Sequence, residues 1–175
     1  MESIRERAAR VRLVCFDVDG TLTDGRLILG ERGEEYKVFH SRDGQGMVML
    51  REAGLHVGVI SGRSSPVVAE RMASLGIQFL YQGASAKTPV FENLLRELSL
   101  TPPQAAFIGD DLPDLAVMRQ VGLAIAVADA HPEIRRQAHW ITQLGGGKGA
   151  AREVCDLILD SHGLLEKFHE QYALR

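Results

Sequence analysis

Short apolar runs, separated by segments of helical periodicity, limit the fold of this chain more than any other feature of its sequence. Each run is rich in Val, Ile, Leu or Phe and is bounded by Gly, Asp or Ser. The runs lie at Leu13–Phe16, Val57–Ile60, Phe79–Tyr81, Ala105–Ile108 and Leu123–Val127. Continuous apolar runs of this length are typical of strands buried on both faces of a parallel sheet. The alternation of strands and helices predicts a doubly wound, Rossmann-like α/β fold with helices on both faces of the sheet.

The ends of several predicted helices are marked in the sequence. Ser65-Pro66 is typical of an N-cap followed by the first helical residue, and Gly54 and Gly76 are typical of helix C-termini. A further helix is predicted over residues 112–121, where apolar residues recur at helical spacing. A length of 175 residues predicts that all of these elements form one domain, residues 1–175.

One segment, residues 26–40, interrupts the strand–helix pattern. Its sequence, RLILGERGEEYKVFH, has two β-like runs on either side of Gly30 and Gly33, so we predict an inserted β-hairpin. The segment is too long for a tight connection between a strand and a helix and too short for a domain. A lone hairpin is marginally stable in water, so its apolar residues predict a partner, which we expect to be the hairpins of other subunits.

Charge and cysteine content exclude several functional classes. The formal net charge is -3, so the chain lacks the cationic field that a nucleic-acid backbone requires. Cys15 and Cys155 are the only cysteines and form no CxxC motif, so we expect two buried free thiols and a cytoplasmic location. No signal-peptide pattern and no apolar run of the ~20 residues that span a bilayer is present, which predicts no membrane partner.

Polar, reactive residues follow several of the predicted strands. The first strand is followed by Asp17-Val18-Asp19-Gly20-Thr21, the second by Ser61-Gly62-Arg63 and the fourth by Gly109-Asp110-Asp111, with Asp114 just beyond and Lys87 at the start of a helix. Asp and Gly after a strand are also common turn residues, so any one of these groups alone is a weak signal. Ligands of open α/β sheets bind beyond the carboxyl ends of the strands, so the recurrence at successive strand ends favours a functional site.

The residue types indicate phosphate chemistry with a metal ion. Asp17, Asp19 and Asp110 supply the clustered hard oxygens that Mg²⁺ prefers, and without a cation these carboxylates would repel one another. Ser61 and Lys87 supply a hydroxyl and a compact positive charge, both suited to a phosphate. A phosphoryl group beside Mg²⁺ and within reach of a carboxylate suggests an aspartyl-phosphate intermediate.

The segments DVDGTLTDG, VISGR and GDDLPDL, with Lys87 between the last two, resemble in order the four motifs of the haloacid-dehalogenase superfamily of phosphohydrolases. The resemblance implies that Asp17 is the nucleophile and that Asp19 is first the general acid and then the general base. It implies a magnesium site made by Asp17, Asp110 and the backbone carbonyl of Asp19. It also implies that Ser61 and Lys87 hold the phosphate oxygens.

Two further acidic residues have supporting roles in this resemblance. Asp114 is expected to tune the site from behind the metal ligands, and Asp111 either orients a ligand or caps a helix. Only 40 positions separate Thr21 from Ser61 and 26 separate Ser61 from Lys87, which leaves no room for a cap domain. A capless site is closed either by a macromolecular substrate or by neighbouring subunits.

Further segments resemble the 3-deoxy-D-manno-octulosonate 8-phosphate phosphatases within that superfamily. They are GERGEEYKVFHSRDGQGM, LGIQFLYQGASAK and VADAHPEI, the last followed by GGGKGAAREVCDLIL. The resemblance implies a homotetramer whose hairpins form a central barrel, a sugar-acid phosphate as substrate and a role in lipopolysaccharide synthesis. It implies substrate contacts at Asp19, His40, Ser41, Arg42, Asp43, Gly44, Arg63, Arg71 and Lys87.

Other interpretations of these residues stay open at this point. Arg71 is also compatible with a solvated helix residue, and Arg42-Asp43 with a turn and N-cap. The segment Gly145–Gly149 lacks the ending of a P-loop and predicts a flexible turn before a helix. A nonulosonate 9-phosphate phosphatase and a capless phosphatase acting on a macromolecule are the alternative functions. A phosphoacceptor signalling domain is disfavoured because it places its Lys after its acidic residues.

Overall fold

The computed structural model describes residues 2–174, and within them the main sheet contains six parallel strands in the order β5-β4-β1-β6-β7-β8. The strands are β1 (Leu13–Phe16), β4 (His56–Ile60), β5 (Phe79–Tyr81), β6 (Ala105–Gly109), β7 (Leu123–Ala126) and β8 (Trp140–Ile141). Strand β1 lies between β4 and β6, with Cys15 opposite Gly58 on one side and Phe107 on the other. The prediction of a doubly wound α/β sheet is confirmed.

Eight helices surround the strands within this part of the chain. They are α1 (Ile4–Arg10), α2 (Ser41–Glu52), α3 (Pro66–Ser74), α4 (Lys87–Glu97), α5 (Leu115–Met118), α6 (Pro132–Gln137), α7 (Ala150–Ser161) and α8 (Leu165–Ala173). Helix α2 packs on α7, which also contacts α1 and α8, whereas α4 packs on α5 and α5 on α6. These contacts divide seven of the helices into two groups, as expected when successive right-handed crossovers cover opposite faces of a sheet.

The apolar runs of the sequence form the hydrophobic core of the structure. Every residue of β1, β6 and β7 is buried, and the largest side chains with almost no exposed surface include Phe16, Phe91 and Phe107. Strands enclosed on both faces need a continuous apolar sequence, which is why these elements were the most predictable ones. The free thiols of Cys15 and Cys155 are fully buried, as predicted. No helix in residues 2–174 has the length and apolar character that crossing a membrane requires.

The helix ends follow the predicted signals in most places. Ser65 is the N-cap of α3 with Pro66 as the first helical residue, and Gly54 and Gly76 follow the ends of α2 and α3 with positive φ angles of 82° and 68°. The helix predicted over 112–121 is much shorter. Asp111 caps a 3-10 turn at Leu112–Asp114, and only α5 follows it as α-helix.

Four elements were not predicted from the sequence: α1, α6, β8 and α8. Strand β8 has two residues, and α6 has six, so neither is long enough to display a period. Helix α1 begins at a capping box formed by Ser3 and Glu6, and α8 buries only Phe168. These elements are placed by contacts with α7 and β7 rather than by their own patterns.

The hairpin predicted within residues 26–40 is present. Strands β2 (Ile28–Leu29) and β3 (Glu35–Tyr36) pair antiparallel, with Ile28 opposite Tyr36. Its outer side chains are strongly exposed, 66% at both Leu29 and Val38. Among residues 2–174, β2 and β3 form a two-stranded sheet of their own, separate from the main sheet. No cap domain interrupts this part of the chain.

Candidate active site

The first catalytic candidate, Asp17, stands at the end of β1 and is only 6% exposed. Its N–H donates to Ile108 O at 3.0 Å, which extends the contact between β1 and β6 by one residue. The chain then turns sharply, because the N–H groups of Thr21, Leu22 and Thr23 all donate to Val18 O at 2.9–3.2 Å. This tight loop, residues 17–25, fixes both Asp17 and Asp19 at the carboxyl edge of the sheet.

Three carboxylates converge at that edge. Oxygen atoms of Asp17, Asp110 and Asp114 lie within 4.8 Å of one another. The approach of Asp110 requires glycine at position 20, since a Cβ there would stand 2.1 Å from Asp110 Oδ2. Asp114 is 1% exposed and accepts the Asp110 N–H at 3.0 Å, so it fixes the backbone beside the expected metal ligand Asp110. Asp111 was expected either to orient a ligand or to cap a helix. It accepts the Leu112 N–H at 2.8 Å, which is the geometry of a cap.

Lys87 connects two of these carboxylates. It is the first residue of α4 and is buried. Its ammonium group contacts Asp17 and lies 2.6 Å from Asp114 Oδ1. Burial by itself lowers the pKa of Lys87, but the charges of Asp17 and Asp114 outweigh that effect and raise it. Lys87 is therefore a fixed cation beside the nucleophile candidate.

The cleft in front of the cluster has a volume of about 250 Å³. Ser61 lies at its edge, 3% exposed, with its Oγ accepting the Arg63 N–H at 3.2 Å. The lining residues are Asp17, Asp19, Ser61, Gly62, Arg63, Lys87, Asp110, Asp111, Pro113 and Asp114. A larger cavity of about 500 Å³ lies between α2 and α8, but the carboxylate cluster is not part of it. The smaller cleft is thus the one that carries reactive groups.

The electrostatics of the cleft fit a divalent cation. Desolvation, reinforced by neighbouring carboxylates, raises the pKa of Asp17 to about 6 and that of Asp110 to about 8. Both shifts reflect negative charges held close together in a poorly hydrated place. A hard cation with oxygen ligands relieves this repulsion, so the cluster of Asp17, Asp110 and Asp114 fits Mg²⁺. The carboxylate of Asp19 is not in the cluster. The resemblance to the haloacid-dehalogenase superfamily implies its backbone carbonyl as the ligand atom.

These pKa shifts predict how stability depends on pH in the metal-free protein. Because the folded-state pKa values of Asp17 and Asp110 are raised, their protonated forms favour folding, and that stability is lost as pH rises through about 6 and about 8. With EDTA present, we expect the Tm to fall by several degrees between about pH 5 and about pH 8.5. Mg²⁺ should raise the Tm more at the higher pH, because metal ligands must be deprotonated.

Thermal unfolding followed by circular dichroism checks this expectation. Asp110→Asn removes one of the titrating groups and should flatten the pH dependence in EDTA. A metal-free Tm that rises from about pH 5 to about pH 8, in wild type and variant alike, would show that the buried carboxylates do not repel as described.

Some of the expected substrate contacts are not at this cleft. Of the nine, the structure brings Asp19, Arg63 and Lys87 to it. The remaining residues are His40, Ser41, Arg42, Asp43, Gly44 and Arg71. They lie at or beside the first turn of α2, where that helix packs on α3 and α7.

Asp43 and Arg71 have specific packing partners at this place. Asp43 is 2% exposed, and its Oδ1 accepts the N–H of Arg152 at 2.9 Å, so it caps the first turn of α7. Arg71 lies across Gly44, where a Cβ would stand 2.4 Å from Arg71 Nη2. In this structure, these residues hold helices together beside the site.

Sequence reasoning missed two contributors to the site. Lys37 of the hairpin contacts Asp19 and lies 3.3 Å from Glu35 Oε1, with its side chain 1% exposed. The segment Gly145–Gly147 packs against the catalytic loop, since the Gly147 N–H donates to Thr21 O at 3.0 Å. The turn before α7 is therefore a packed element rather than the flexible one predicted. The alternation of Tyr36, Lys37 and Val38 was the signal that pointed Lys37 inward.

Comparisons with known proteins agree with this geometry. A family profile of haloacid dehalogenase-like hydrolases matches residues 77–153. The 3-deoxy-D-manno-octulosonate 8-phosphate phosphatase of Yersinia pestis is 47% identical over 165 residues, which covers 94% of this chain and 88% of that protein. The corresponding protein of Escherichia coli K12 is 46% identical over 161 residues, covering 92% of this chain and 86% of its own.

A solved structure extends the comparison to the metal. The 3-deoxy-D-manno-octulosonate 8-phosphate phosphatase from Moraxella catarrhalis, in complex with magnesium ion, phosphate ion and a KDO molecule, superposes with a TM-score of 0.95 at 37% identity and covers 97% of both chains. The resemblance seen in the motifs is confirmed over nearly the whole length. The chain belongs to the 3-deoxy-D-manno-octulosonate 8-phosphate phosphatase family of haloacid dehalogenase-like hydrolases.

Proposed function

We propose that this chain is a Mg²⁺-dependent phosphatase that converts 3-deoxy-D-manno-octulosonate 8-phosphate to 3-deoxy-D-manno-octulosonate and inorganic phosphate in the cytoplasm, for lipopolysaccharide synthesis. The observation that carries the proposal is the cluster of Asp17, Asp110 and Asp114, bridged by Lys87 at the carboxyl edge of the sheet. Relatives that share nearly half of its residues are phosphatases of this sugar acid. The reaction is the hydrolysis of a phosphoric monoester.

The first step forms a covalent intermediate. A carboxylate oxygen of Asp17 attacks phosphorus, and the bond between phosphorus and the C8 oxygen of the sugar breaks. Asp19 donates a proton to the departing oxygen, so the sugar leaves as a neutral alcohol. The product of this step is a phosphoaspartate at position 17.

The second step releases phosphate. Asp19, now ionised, takes a proton from a water molecule whose oxygen attacks the phosphoaspartate. The bond between phosphorus and the Asp17 oxygen breaks, which restores the carboxylate and frees inorganic phosphate. Asp19 lines the cleft, but its carboxylate is not part of the acidic cluster. It is therefore available to donate and accept protons in turn.

Binding of the phosphoryl group is divided among fixed cations and one hydroxyl. Asp17, Asp110 and the backbone carbonyl of Asp19 would hold Mg²⁺, which would supply positive charge to a bound phosphoryl group. Ser61 and Lys87 hold the remaining oxygens, and both are already buried in place. When phosphate binds, the ammonium group of Lys87 replaces part of its contact with Asp17 by a contact with a phosphate oxygen. The positive charge of Lys87 is therefore neutralised in both states.

The sugar acid needs a cation outside the phosphate pocket. Arg63 is suited to this role because its side chain is 50% exposed at the mouth of the cleft and its guanidinium forms a fork for a carboxylate. The group at the start of α2, together with Arg71, recognises sugar across an interface between subunits. A single subunit leaves this half of the substrate without partners.

A substrate panel tests the proposed function. In the presence of Mg²⁺, kcat/KM for 3-deoxy-D-manno-octulosonate 8-phosphate should exceed the value for a nonulosonate 9-phosphate by at least about tenfold. A single misplaced polar contact with the wrong substrate is enough to lower kcat/KM by that factor. A preference for the 9-phosphate would assign the chain to the alternative sugar acid. Turnover of a phosphoprotein or a nucleic-acid end in preference to both would assign it to a capless phosphatase of macromolecules.

The hairpin supports a homotetrameric assembly. The side chains of Leu27, Ile28, Leu29, Tyr36 and Val38 are exposed, between 46% and 66%. An exposed apolar hairpin with free edges is an association surface, and closing several hairpins into a ring removes the edges. The same arrangement places each hairpin beside a neighbouring cleft, which a capless site needs.

Removal of the hairpin surface tests the assembly. Light scattering of the wild type should give about four times the chain mass of 19.2 kDa. Shortening residues 26–40 to a Gly-Ser turn should yield smaller species that lose turnover of the sugar phosphate by more than turnover of p-nitrophenyl phosphate. A wild-type monomer that is fully active at micromolar concentration would contradict the tetramer and favour a macromolecular substrate.

A further inference from the structure

The inward-facing residues of this half of the hairpin are charged rather than apolar: Glu35, in β3, and Lys37, which follows that strand. Tyr36 and Val38 point outward, 58% and 66% exposed, whereas the side chain of Lys37 between them is 1% exposed. Burying an ammonium group costs several kcal/mol unless a charged partner compensates it. The position of Lys37 is therefore held by its partners.

Those partners belong to a ring of four charges at the mouth of the cleft. Lys37 Nζ contacts Asp19 Oδ1 and lies 3.3 Å from Glu35 Oε1. Arg63 completes the ring, with Nη2 3.2 Å from Glu35 Oε1 and Nε 3.7 Å from Asp19 Oδ2. Each carboxylate faces both cations.

The two cations of the ring are not equivalent. The side chain of Arg63 is half-exposed and thus accessible to an incoming substrate, whereas that of Lys37 is enclosed. When a sugar carboxylate draws Arg63 away, Asp19 keeps Lys37 as its partner. Lys37 is thus the permanent constraint on the Asp19 side chain, and it acts from outside the phosphate pocket.

We propose that Lys37 is a positioning residue that holds the Asp19 carboxylate in the orientation needed for proton transfer, and that it makes the placement of the hairpin a condition of turnover. The inference rests on the role of Asp19 in the proposed function. A displacement of about 1 Å of a catalytic group can cost about 100-fold in rate. The two-stranded sheet of the hairpin is separate from the main sheet, so Lys37 provides a direct link from the assembly surface to the reacting groups.

The variant Lys37→Met tests the proposal, because it keeps the length of the side chain and removes its charge. Lys37→Arg keeps the charge, and Arg32→Met is the matched control, since it removes an exposed cation from the turn of the same hairpin. Circular dichroism and thermal unfolding establish that each variant is folded. Lys37→Gln replaces Lys37→Met where the latter does not fold.

Two substrates separate positioning of Asp19 from a general structural effect. Nitrophenolate leaves without a proton, so the first step with p-nitrophenyl phosphate does not need Asp19 as an acid, whereas release of phosphate still needs it as a base. In Lys37→Met, stopped-flow measurements should show a burst of about one nitrophenolate per active site, followed by a steady state slowed about 10- to 100-fold. Turnover of 3-deoxy-D-manno-octulosonate 8-phosphate should fall at least as much, with KM changed by less than about threefold.

Comparison of the variants decides whether the charge of Lys37 positions Asp19. Recovery of most of the turnover by Lys37→Arg, with Arg32→Met like the wild type, supports the proposal. Lys37→Met turnover within about twofold of the wild type, or a slow steady state without a burst, would overturn it, as would equal losses in Lys37→Met and Lys37→Arg. If the wild type hydrolyses p-nitrophenyl phosphate but not the sugar phosphate, the proposed substrate fails, while the burst still tests Lys37.

Discussion

Asp17→Asn should reduce turnover of every phosphate ester by about four to six orders of magnitude, because an amide cannot form the phosphoenzyme. The fold should persist. The replacement keeps the size of a side chain that is 6% exposed, and it removes a negative charge from a cluster whose members repel one another. In EDTA the variant should therefore unfold at or above the Tm of the wild type. Phosphate release and thermal unfolding provide the two measurements.

A matched control is available on the surface. Asp160 forms an exposed ion pair with Arg5 at 2.6 Å, so Asp160→Asn makes the same chemical change away from the cleft. This variant should retain the activity of the wild type, since exposed pairs contribute little to stability. Activity of purified Asp17→Asn close to that of Asp160→Asn would refute the phosphoaspartate route. It would favour a mechanism in which water attacks the substrate phosphorus directly.

Removal of divalent cations is expected to have the second largest effect, a loss of activity of about three orders of magnitude or more. Asp17 and Asp110 have raised pKa values because burial and mutual repulsion oppose their charges, and a phosphate dianion would add to that repulsion. Without Mg²⁺ the substrate thus meets a negative site, in which Lys87 is the buried cation in contact with the nucleophile. Addition of Mg²⁺ in excess of EDTA should restore the rate.

Metal analysis of the EDTA-treated protein must accompany the assay. Residual activity should scale with residual metal, and Asp110→Asn should need more Mg²⁺ for half-maximal activity than the wild type because it loses a charged ligand. Full activity in a preparation shown to contain no divalent cation would mean that the acidic cluster is not a metal site.

The sequence predicted the parts of this molecule that depend on local patterns. Strands such as β1 and β6 are enclosed on both faces, so their composition identified them, and parallel strands bring their carboxyl ends to one edge. That rule placed Asp17 and Asp110 together, and Lys87 reaches the same cluster from the start of α4. Their separation along the chain, up to 93 positions between Asp17 and Asp110, did not matter.

The parts that were not predicted depend on packing between distant segments. Lys37 follows a two-residue strand whose inward face is set by the catalytic loop, and nothing in the local sequence names Asp19 as its partner. Likewise, Asp43 looked like the cap of its own helix but caps α7 instead. Such roles emerge only when the chain has folded, because Asp19 lies 18 positions from Lys37 and Arg152 lies 109 positions from Asp43.

The packing of Gly146 and Gly147 on the catalytic loop also concerns the order in which the protein is made. A Cβ on Gly146 would lie 1.8 Å from Gly20 O, so the two backbones touch directly. A growing chain carries all its motif residues once position 114 has been synthesised, yet the support for residues 17–25 arrives only with position 147. The motif residues of a nascent chain therefore precede the backbone support of residues 17–25, which is complete only after position 147 has been synthesised.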